Sequence, residues 1–287
     1  MVSSKILRLR HLLRRLFVWV ERTDYSAYDV APSFKLPVYG VYHIFCVNDW
    51  MSLLKEQIGA LKESGLWDIT AELYVSCIVS SEKDVTLIQE VIGHKCSVIH
   101  VTSDKSVFEY PALDFIRCKA ENEDALFYYF HTKGISYREL SPTQIDKNVN
   151  AWRKMMEYFI FTKYNVAMNV LSEYDTYGCY YNEIIGTPVL HRYYSGNFWW
   201  SKSSYIRKIP QLKVSDYRNR YGAENWLCQK ATKVFIAFNT SAELYDTQIP
   251  AFFYDSSVPF RLGEMMCFLF CHYKYIGHRL LALMKRK

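Results

Sequence analysis

The pattern of apolar and polar positions in the first half of the chain predicts strands and helices in alternation. Short apolar blocks typical of buried strands occur at 38–47, 71–79, 96–101 and 126–130. Segments with the apolar spacing of helices lie between them, at 50–61, 81–92 and 109–119. Glycines follow the first two helices, at 65 and 93. These spacings suit right-handed crossovers between parallel strands, so we expect an α/β fold with a mostly parallel central sheet flanked by helices.

The alternation becomes irregular beyond residue 140. A long helix is predicted from Thr143 to about Ser172, followed by a strand near 177–181. The aromatic segment 193–200 surrounds a glycine, and another helix is predicted to begin near Tyr221. We therefore expect a regular half, 36–140, that is completed by a less regular half, 141–250.

The segment 125–134 is the one around which the rest of the chain is expected to be organised. Six apolar or aromatic residues predict a strand that is buried on both faces. His131, Thr132 and Lys133 follow it directly, and Gly134 permits a sharp turn. Ligands of open α/β sheets bind beyond the carboxyl ends of the strands, and a lysine there favours an anion such as phosphate. The alternative is that the three polar residues belong to an ordinary loop.

Composition indicates a globular protein in a reducing compartment. Half of the residues are hydrophobic and 17% are aromatic. No apolar run approaches the ~18 residues that a transmembrane helix needs. The eight cysteines include no C-x-x-C pair, which favours a reduced, cytosolic protein. Cys267, Cys271 and His272 would supply only part of a metal site, because no second pair of ligands accompanies them.

The positive charge of the chain is concentrated at its two ends. The net charge is +6, and residues 1–22 and 261–287 each carry +5, so the body between them is acidic. Both ends also have helical apolar spacing, which predicts a basic amphipathic leader and linker at 1–35 and a basic amphipathic helical tail at 251–287. Such helices bind the surface of anionic bilayers. Alternatives are that they pack on the domain or on a partner, or that residues 1–17 are a mitochondrial presequence.

Four short segments carry a family resemblance when they are taken together in order. They are Tyr-His-Ile-Phe-Cys-Val-Asn-Asp-Trp at 42–50, Phe-His-Thr-Lys-Gly at 130–134, Ser-Gly-Asn-Phe-Trp-Trp at 195–200 and Ala-Glu-Asn-Trp-Leu at 223–227. In these segments the chain resembles bacterial polysaccharide-cluster glycosyltransferases of the GT-A kind. It is also similar to the transferase modules of rhamnan-type polysaccharide synthesis, which carry a similar His-Thr-Lys turn. The likeness covers about residues 38–245.

This resemblance implies a GT-A-like (Rossmann-like) catalytic domain at 36–250. Residues 36–140 would be its nucleotide-binding half and 141–250 its acceptor half. It also implies that a nucleotide-sugar donor binds at the carboxyl edge of the sheet and that the sugar passes to a growing surface glycan, with inversion. Enzymes of this kind usually carry an Asp-x-Asp that holds a divalent metal on the donor diphosphate. Here His131, Thr132 and Lys133 stand in its place, so we expect a lysine to neutralise the diphosphate and no cofactor to be required, although a divalent metal stays an alternative.

The same resemblance assigns roles to further residues. Glu224 matches the position of the acidic catalytic base, and the second acid of that motif is replaced by Asn225. The other candidates fall into two groups: donor contacts at Asn48, Arg117, Arg153 and Asn197, and acceptor contacts at Trp199 and Trp200. The alternatives are that the two tryptophans pack in the core and that Glu224 merely favours the start of a helix.

The predicted protein is a cytoplasmic enzyme held on the inner face of the cell membrane by both termini. Its expected partners are a nucleotide-sugar donor and a glycan acceptor carried on a polyprenyl lipid. A non-catalytic, membrane-docked scaffold of a polysaccharide assembly complex is the alternative. Nucleic-acid binding is not favoured, because the cations accompany apolar stripes rather than a continuous basic surface.

Overall fold

The computed structural model of the protein describes residues 16–32, 35–138, 143–184, 191–212 and 220–285. Its centre is a seven-stranded sheet in the order β10-β6-β9-β5-β2-β3-β4. The strands of the molecule are β1 Val20–Arg22, β2 Val38–Phe45, β3 Thr70–Ile78, β4 Cys96–Thr102, β5 Leu126–His131, β6 Thr176–Gly178, β7 Tyr181–Ile184, β8 His191–Tyr194, β9 Trp199–Lys202, β10 Val234–Ile236 and β11 Phe238–Thr240. All neighbours in the central sheet are parallel except β9, which runs antiparallel to β5 and β6. The predicted mostly parallel α/β sheet is confirmed.

Helices flank this sheet on both faces. They are α1 Trp50–Glu63, α2 Leu66–Ile69, α3 Glu82–Ile92, α4 Tyr110–Asn122, α5 Gln144–Glu157, α6 Tyr164–Val170, α7 Ser203–Ile206, α8 Arg220–Trp226 and α9 Leu262–Met284. The predicted helix 143–172 is interrupted by a π-helical turn at Tyr158–Thr162, which joins α5 to α6. Thr143 caps α5, because its hydroxyl accepts the amide N–H of Asp146 at 3.2 Å.

The central strand β5 separates two hydrophobic cores. Leu126, Tyr128 and Phe130 pack into the core that α1 and α5 cover. Phe127 and Tyr129 point to the other face and pack into the core that α4 and α8 cover. Strand residues alternate between faces, so a strand buried on both sides reads as one continuous apolar run. This explains why β5 could be predicted from the sequence.

The order of the strands creates a switch point between β2 and β5. The first three strands of the sheet are added outward on one side, β2 then β3 then β4, and the chain then crosses to β5 on the other side of β2. Crevices that bind ligands lie outside the carboxyl ends of the strands at such a reversal. His131, Thr132 and Lys133 follow β5 directly, so the fold puts them at this point.

The predicted division of the terminal regions needs correction. Residues 1–15, where most of the predicted basic leader lies, fall outside the described residues, but Val20–Arg22 is a strand and not part of a helix. It pairs antiparallel with Phe238–Thr240, at the far end of the domain sequence. Tyr25, in the predicted linker, is buried in the core. The domain therefore includes residues before 36, because the irregular second half needs a strand from the amino-terminal region to cover it.

The helix predicted for the carboxyl-terminal tail is present as α9. Its first turns pack on the body, where Phe268 contacts Phe253 with ring centroids 5.5 Å apart and is 3% exposed. Beyond Gly277, residues 278–282 are all exposed. No helix in the described part of the chain is long and apolar enough to cross a membrane.

Candidate functional site

Strained backbone conformations collect at the carboxyl edge of the central sheet. Among the described residues other than glycine, four have positive φ: Asn48 (51°), Phe108 (48°), Tyr180 (54°) and Asn197 (55°). Three of them follow parallel strands and Asn197 precedes the antiparallel strand β9, so all four lie at this edge. Such conformations cost of order 1–3 kcal/mol each and are often found at functional sites. Their grouping supports this edge as the candidate site.

A partly buried carboxylate, that of Glu109, lies at the centre of this edge. Glu109 immediately precedes α4, and its Oε2 accepts hydrogen bonds from the hydroxyl of Tyr129 at 2.9 Å and from Nδ2 of Asn197 at 2.5 Å. Its Oε1 lies 3.9 Å from Nε2 of His131. The side chains of Glu109 and His131 are 19% and 15% exposed, so the pair remains in contact with solvent. Three separate segments, β5, the start of α4 and the loop before β9, therefore meet at one carboxylate.

The surroundings of Glu109 keep its carboxylate ionised. Burial opposes the charge, but His131, His43 and the hydrogen bonds from Tyr129 and Asn197 outweigh burial and lower the pKa of Glu109. His43 shows the opposite balance, because burial lowers its pKa to about 4 despite the attraction of Glu109. At neutral pH the partly buried Glu109 is therefore negatively charged, and His43 beside it is uncharged.

Polar side chains form a row across the strands on this face of the sheet. His131 of β5 is in register with His43 of β2, which is in register with Ser76 of β3, and Ser76 is in register with His100 of β4. Within the described residues, His43 Nδ1, Ser76 Oγ and His100 Nε2 have no hydrogen-bond partner. The row makes the floor beneath the start of α4 polar, in contrast to the aromatic core farther along the strands.

Gly196 connects His131 to the other flank of the edge. Its carbonyl oxygen lies 2.9 Å from His131 Nε2. Its φ is +92°, and a Cβ at this position would lie 2.5 Å from Met156 Sδ and 3.2 Å from the ring of Trp152. Lys133 Nζ stacks on that ring, 3.9 Å from its centroid, and lies 5.7 Å from the ring of Tyr245. The loop before β9 thus lies between the imidazole of His131 and the indole ring on which Lys133 stacks.

Two of the predicted donor contacts fasten the ends of β2 and β5 together. The hydroxyl of Thr132 accepts the N–H of Phe45 at 2.9 Å, and the N–H of Thr132 donates to the carbonyl of His43 at 3.1 Å. Asn48 Nδ2 donates to the carbonyl of Ile135 at 2.9 Å. Thr132 is 3% exposed, whereas Asn48 is exposed. In this conformation Thr132 therefore shapes the crevice, and Asn48 is open to a ligand.

Glu224, the predicted base, lies near the same cluster. It is in α8, is partly buried, and acts electrostatically on Tyr129. Burial is the main reason that the pKa of Tyr129 is raised, and the charges of Glu109 and Glu224 add to it. Contacts thus run from the carbonyl of Gly196 through His131 and Glu109 to Tyr129, on which Glu224 acts electrostatically.

Arg153 was predicted to contact a donor phosphate, and the structure does not support this. Its guanidinium is 1% exposed and pairs with Glu157 at 2.5 Å and Glu56 at 2.9 Å. Gln57 extends this network by donating to Glu157 at 2.9 Å and to the carbonyl of His131 at 3.3 Å. Arg153 is therefore neutralised within the fold, where it helps to hold the end of β5.

Arg117 is likewise committed to the fold and not to the site. Its Nε donates to the carbonyl of Ile209 at 3.0 Å, and another nitrogen donates to the carbonyl of Arg207 at 3.2 Å. It also pairs with Glu121 at 2.7 Å, one turn further along α4. These contacts hold its guanidinium within the fold, about two helical turns after the start of α4.

The two tryptophans predicted to bind an acceptor are core residues. Trp199 is 1% exposed and stacks on Tyr129 at 5.2 Å, and its Nε1 donates to Asn197 Oδ1 at 2.9 Å. Trp200 is fully buried on the other face, where Nε1 donates to the carbonyl of Ile160. Neither ring has a face open to a sugar. Asn197, predicted as a donor contact, is 2% exposed and is held between Trp199 and Glu109, so in this conformation it orients the carboxylate.

A groove elsewhere on the molecule does not coincide with this cluster. It has a volume of about 470 Å³, and residues of α1 and α5 line it, including Lys55, Glu56, Lys154 and Glu157. It belongs to the face opposite Glu109. No group of three or more His, Cys, Asp or Glu side chains arranged to hold a metal ion occurs in the described ranges.

The main site residue that the sequence analysis missed is Glu109. It was treated only as the first residue of a predicted helix, which is a common place for an acidic side chain. One signal was available, because the connection between a parallel strand and its following helix always lies at the carboxyl edge. Glu109 is in the connection between β4 and α4, so topology alone would have named it as a candidate.

Comparisons with known proteins identify a family but no established activity. Residues 42–241, more than two thirds of the chain, match the family described as Domain of unknown function (DUF8361). No protein of curated function matches. Among solved structures, the chain is similar to 4-diphosphocytidyl-2C-methyl-D-erythritol synthase from Anaerococcus prevotii DSM 20548, with 11% identity and a TM-score of 0.38, over 74% of this chain and 90% of that one.

Proposed function

We propose that the protein, which belongs to the family described as Domain of unknown function (DUF8361), is a glycosyltransferase. It would move a sugar from a nucleoside-diphosphate donor to a glycan acceptor, in the manner of the GT-A kind of enzyme that its four motifs resemble. The observation that carries this proposal is the pairing of His131 with the carboxylate of Glu109 at the switch point of a mostly parallel sheet, with Lys133 two residues after His131 and Glu224 acting electrostatically on Tyr129.

In the proposed reaction, the anionic Glu224 acts on the acceptor hydroxyl and the cationic Lys133 acts on the leaving diphosphate. The hydroxyl of the acceptor attacks the anomeric carbon, its oxygen forms the new glycosidic bond, and Glu224 accepts its proton. The bond between the anomeric carbon and the phosphate oxygen breaks, and its electron pair leaves with the nucleoside diphosphate. Lys133 stabilises the charge that develops on this leaving group. Attack from the face opposite the leaving group inverts the configuration at the anomeric carbon.

The setting of Lys133 supports this role. Lys133 Nζ lies 3.9 Å from the ring centroid of Trp152 and 5.7 Å from that of Tyr245, and these cation–π contacts orient its ammonium group at the edge where the donor is proposed to bind. Lys133 is proposed to stabilise the diphosphate without a divalent metal, and the donor screen is run with and without manganese to test this.

The acceptor is proposed to be a glycan on a membrane lipid, with α9 as the contact to the bilayer. Large apolar residues at helical spacings are 46–72% exposed along one stripe of α9: Leu262, Met266, Phe270, Tyr273, Leu280, Leu281 and Met284. Lys274 and Lys285 flank this stripe. An apolar stripe with cations at its border matches acyl chains below anionic head groups, which supports attachment to the cytoplasmic face of the membrane.

The test begins with binding and ends with turnover. Nucleotide sugars are screened for a rise in melting temperature, with and without manganese, because a ligand that binds only the folded state must stabilise it. The stabilising donor is then supplied with a polyprenyl-linked oligosaccharide, and transfer is measured. We expect Glu224→Gln to abolish transfer while the melting temperature and donor binding are retained. Full activity of Glu224→Gln would remove this mechanism.

The outcome of the binding screen separates the enzyme from its alternative. A non-catalytic scaffold docked on the membrane would bind vesicles but no nucleoside diphosphate. Binding of a donor without transfer to any acceptor, in the presence and absence of manganese, would also count against the glycosyltransferase.

A further inference from the structure

Glu109 and His131 form a pair whose geometry is independent of the residues named by the motif resemblance. We infer that Glu109 is a positioning residue that holds His131 as an imidazolium, and that this imidazolium is a second cation, beside Lys133, for binding a diphosphate at the carboxyl edge. This deepens the proposed function, on which the identity of the anion rests.

The ring nitrogen Nε2 of His131 has a fixed role. It lies 2.9 Å from the carbonyl oxygen of Gly196, which can only accept a hydrogen bond, so Nε2 carries a proton. The neutral ring is then unprotonated at Nδ1, and protonation there creates the cation. Nε2 also lies 3.9 Å from Glu109 Oε1, and a carboxylate at this distance favours the protonated form of an imidazole.

Glu109 is suited to hold His131 as an imidazolium because hydrogen bonds to its carboxylate stabilise its negative charge. Tyr129 and Asn197 both donate to Oε2, and this leaves Oε1 directed at His131. Asn197 is held in turn by Trp199, and its backbone has the uncommon φ of 55°. A strained asparagine, a buried tryptophan and a buried tyrosine are therefore all arranged to fix one carboxylate oxygen.

Two titratable neighbours of His131, His43 and Tyr129, are uncharged at neutral pH. His43, its neighbour on β2, is neutral at pH 7 because its pKa is about 4. His100 lies beyond His43 and Ser76 in the same row. Tyr129 stands parallel to the ring of His131 at 6.3 Å, and its raised pKa keeps it uncharged. Glu224, on α8, acts electrostatically on Tyr129, and Lys133 follows His131 by two positions.

The first test measures the charge state of His131 by nuclear magnetic resonance. The full-length protein is labelled at its histidine rings and titrated, and the signal of His131 is assigned from its loss in His131→Gln. We expect Glu109→Gln to lower the pH at which His131 titrates. Glu123→Gln is the matched control, because it removes a hydrogen-bonded carboxylate at the other end of α4, and it should leave this signal unchanged. An unchanged titration in a folded Glu109→Gln protein would overturn the inference.

The second test uses inorganic pyrophosphate as the probe, measured by calorimetry across the pH range. Pyrophosphate should bind about tenfold more weakly to His131→Gln than to the unchanged protein below the titration of His131, the loss expected for one charged hydrogen bond. The difference should vanish at higher pH, whereas Lys133→Met should weaken binding at every pH. Equal binding by His131→Gln at low pH, or no binding of pyrophosphate by the unchanged protein, would overturn the anion role.

These measurements separate two kinds of failure. If the protein transfers no sugar, the titration of His131 and the binding of pyrophosphate still report on the pair alone. If sugar transfer is found but neither His131→Gln nor Glu109→Gln alters anion binding, the proposed function stands and the inference about the pair falls.

Discussion

His43 is a histidine that the fold keeps neutral, and this makes stability depend on pH. Its folded-state pKa is about 4, below the ordinary value of 6.5, so the unfolded chain binds more protons between these two values. The free energy of unfolding should therefore decrease by about 3 kcal/mol as the pH falls from 6.5 to 4. Denaturant unfolding at a series of pH values measures this slope.

The same experiment on two variants assigns the slope to His43. His43→Gln keeps a polar side chain but no titrating ring, so stability should become flatter with pH between 4 and 6.5. The exposed His278 on α9 serves as the control, and His278→Gln should keep the slope of the unchanged protein. Identical slopes in all three proteins would show that His43 titrates as an ordinary exposed histidine.

Gly196 is the residue at which the two flanks of the site touch. A methyl group there would lie 2.5 Å from Met156 Sδ on a backbone with φ of +92°, so Gly196→Ala meets both a clash and strain. We expect a loss of about 1–3 kcal/mol in the free energy of unfolding. Gly59→Ala is the matched control, because Gly59 lies within α1 with no atom near its Cβ position, and it should stabilise by up to about 1 kcal/mol. Equal stabilities would contradict the packing described for the loop before β9.

At the scale of elements, α9 presents the largest exposed apolar stripe among the described helices. Replacing Met266 and Phe270 by serine removes two exposed anchors without touching the buried Phe268. We expect affinity for vesicles that contain phosphatidylglycerol to fall at least about tenfold, since each buried apolar side chain contributes roughly 1.5–3 kcal/mol. Cys267→Ser changes an exposed residue beside the stripe and should bind as the unchanged protein does. Sedimentation with vesicles gives the comparison, and equal binding by the double variant would exclude this stripe as the contact.

The strands and helices of the first half were predictable because each one has a signal in its own local sequence. The two-sided burial of β5 leaves an unbroken apolar run, and Gly65 and Gly93, both with positive φ, follow the ends of α1 and α3. The switch point follows from that order, so the position of His131 and Lys133 could be inferred. The break of the long helix at Tyr158–Thr162 could not, because a π-helical turn has no distinct apolar spacing.

At the scale of the whole molecule, contacts between distant segments determine which candidate residues are buried or paired, and the sequence alone does not show these contacts. Trp199 and Trp200 have the composition of an aromatic cleft, but they belong to an antiparallel strand inserted between β5 and β6, where both faces are covered. The sequence alone does not show which groups pair with Arg153 and Arg117. In the folded chain, Arg153 pairs with Glu157, and Arg117 donates to the carbonyl of Ile209. For Glu109 the folded chain had the opposite effect: Tyr129 and Asn197, 20 and 88 positions away, donate hydrogen bonds to its carboxylate and make it a candidate site residue.

The pairing of β1 with β11 predicts how far the domain extends. Besides the strand register, Thr23 Oγ1 donates to the carbonyl of Ile236 at 2.6 Å, and Tyr25 is buried in the core. A chain that begins at residue 26 should therefore melt at a lower temperature than one that begins at residue 16, which keeps these contacts. Thermal unfolding monitored by circular dichroism tests this, and equal melting temperatures would show that the strand adds no stability.

The β1–β11 contact also has a consequence for synthesis on the ribosome. Trp19 and Ser241, which join at this seam, are 222 positions apart in the chain. At about 5–20 residues per second, the amino-terminal strand would wait roughly 10–45 seconds after its own translation before its mate is made. During that interval its backbone groups are open to other chains, so premature pairing between neighbouring nascent chains on one messenger is a misfolding route that this architecture opens.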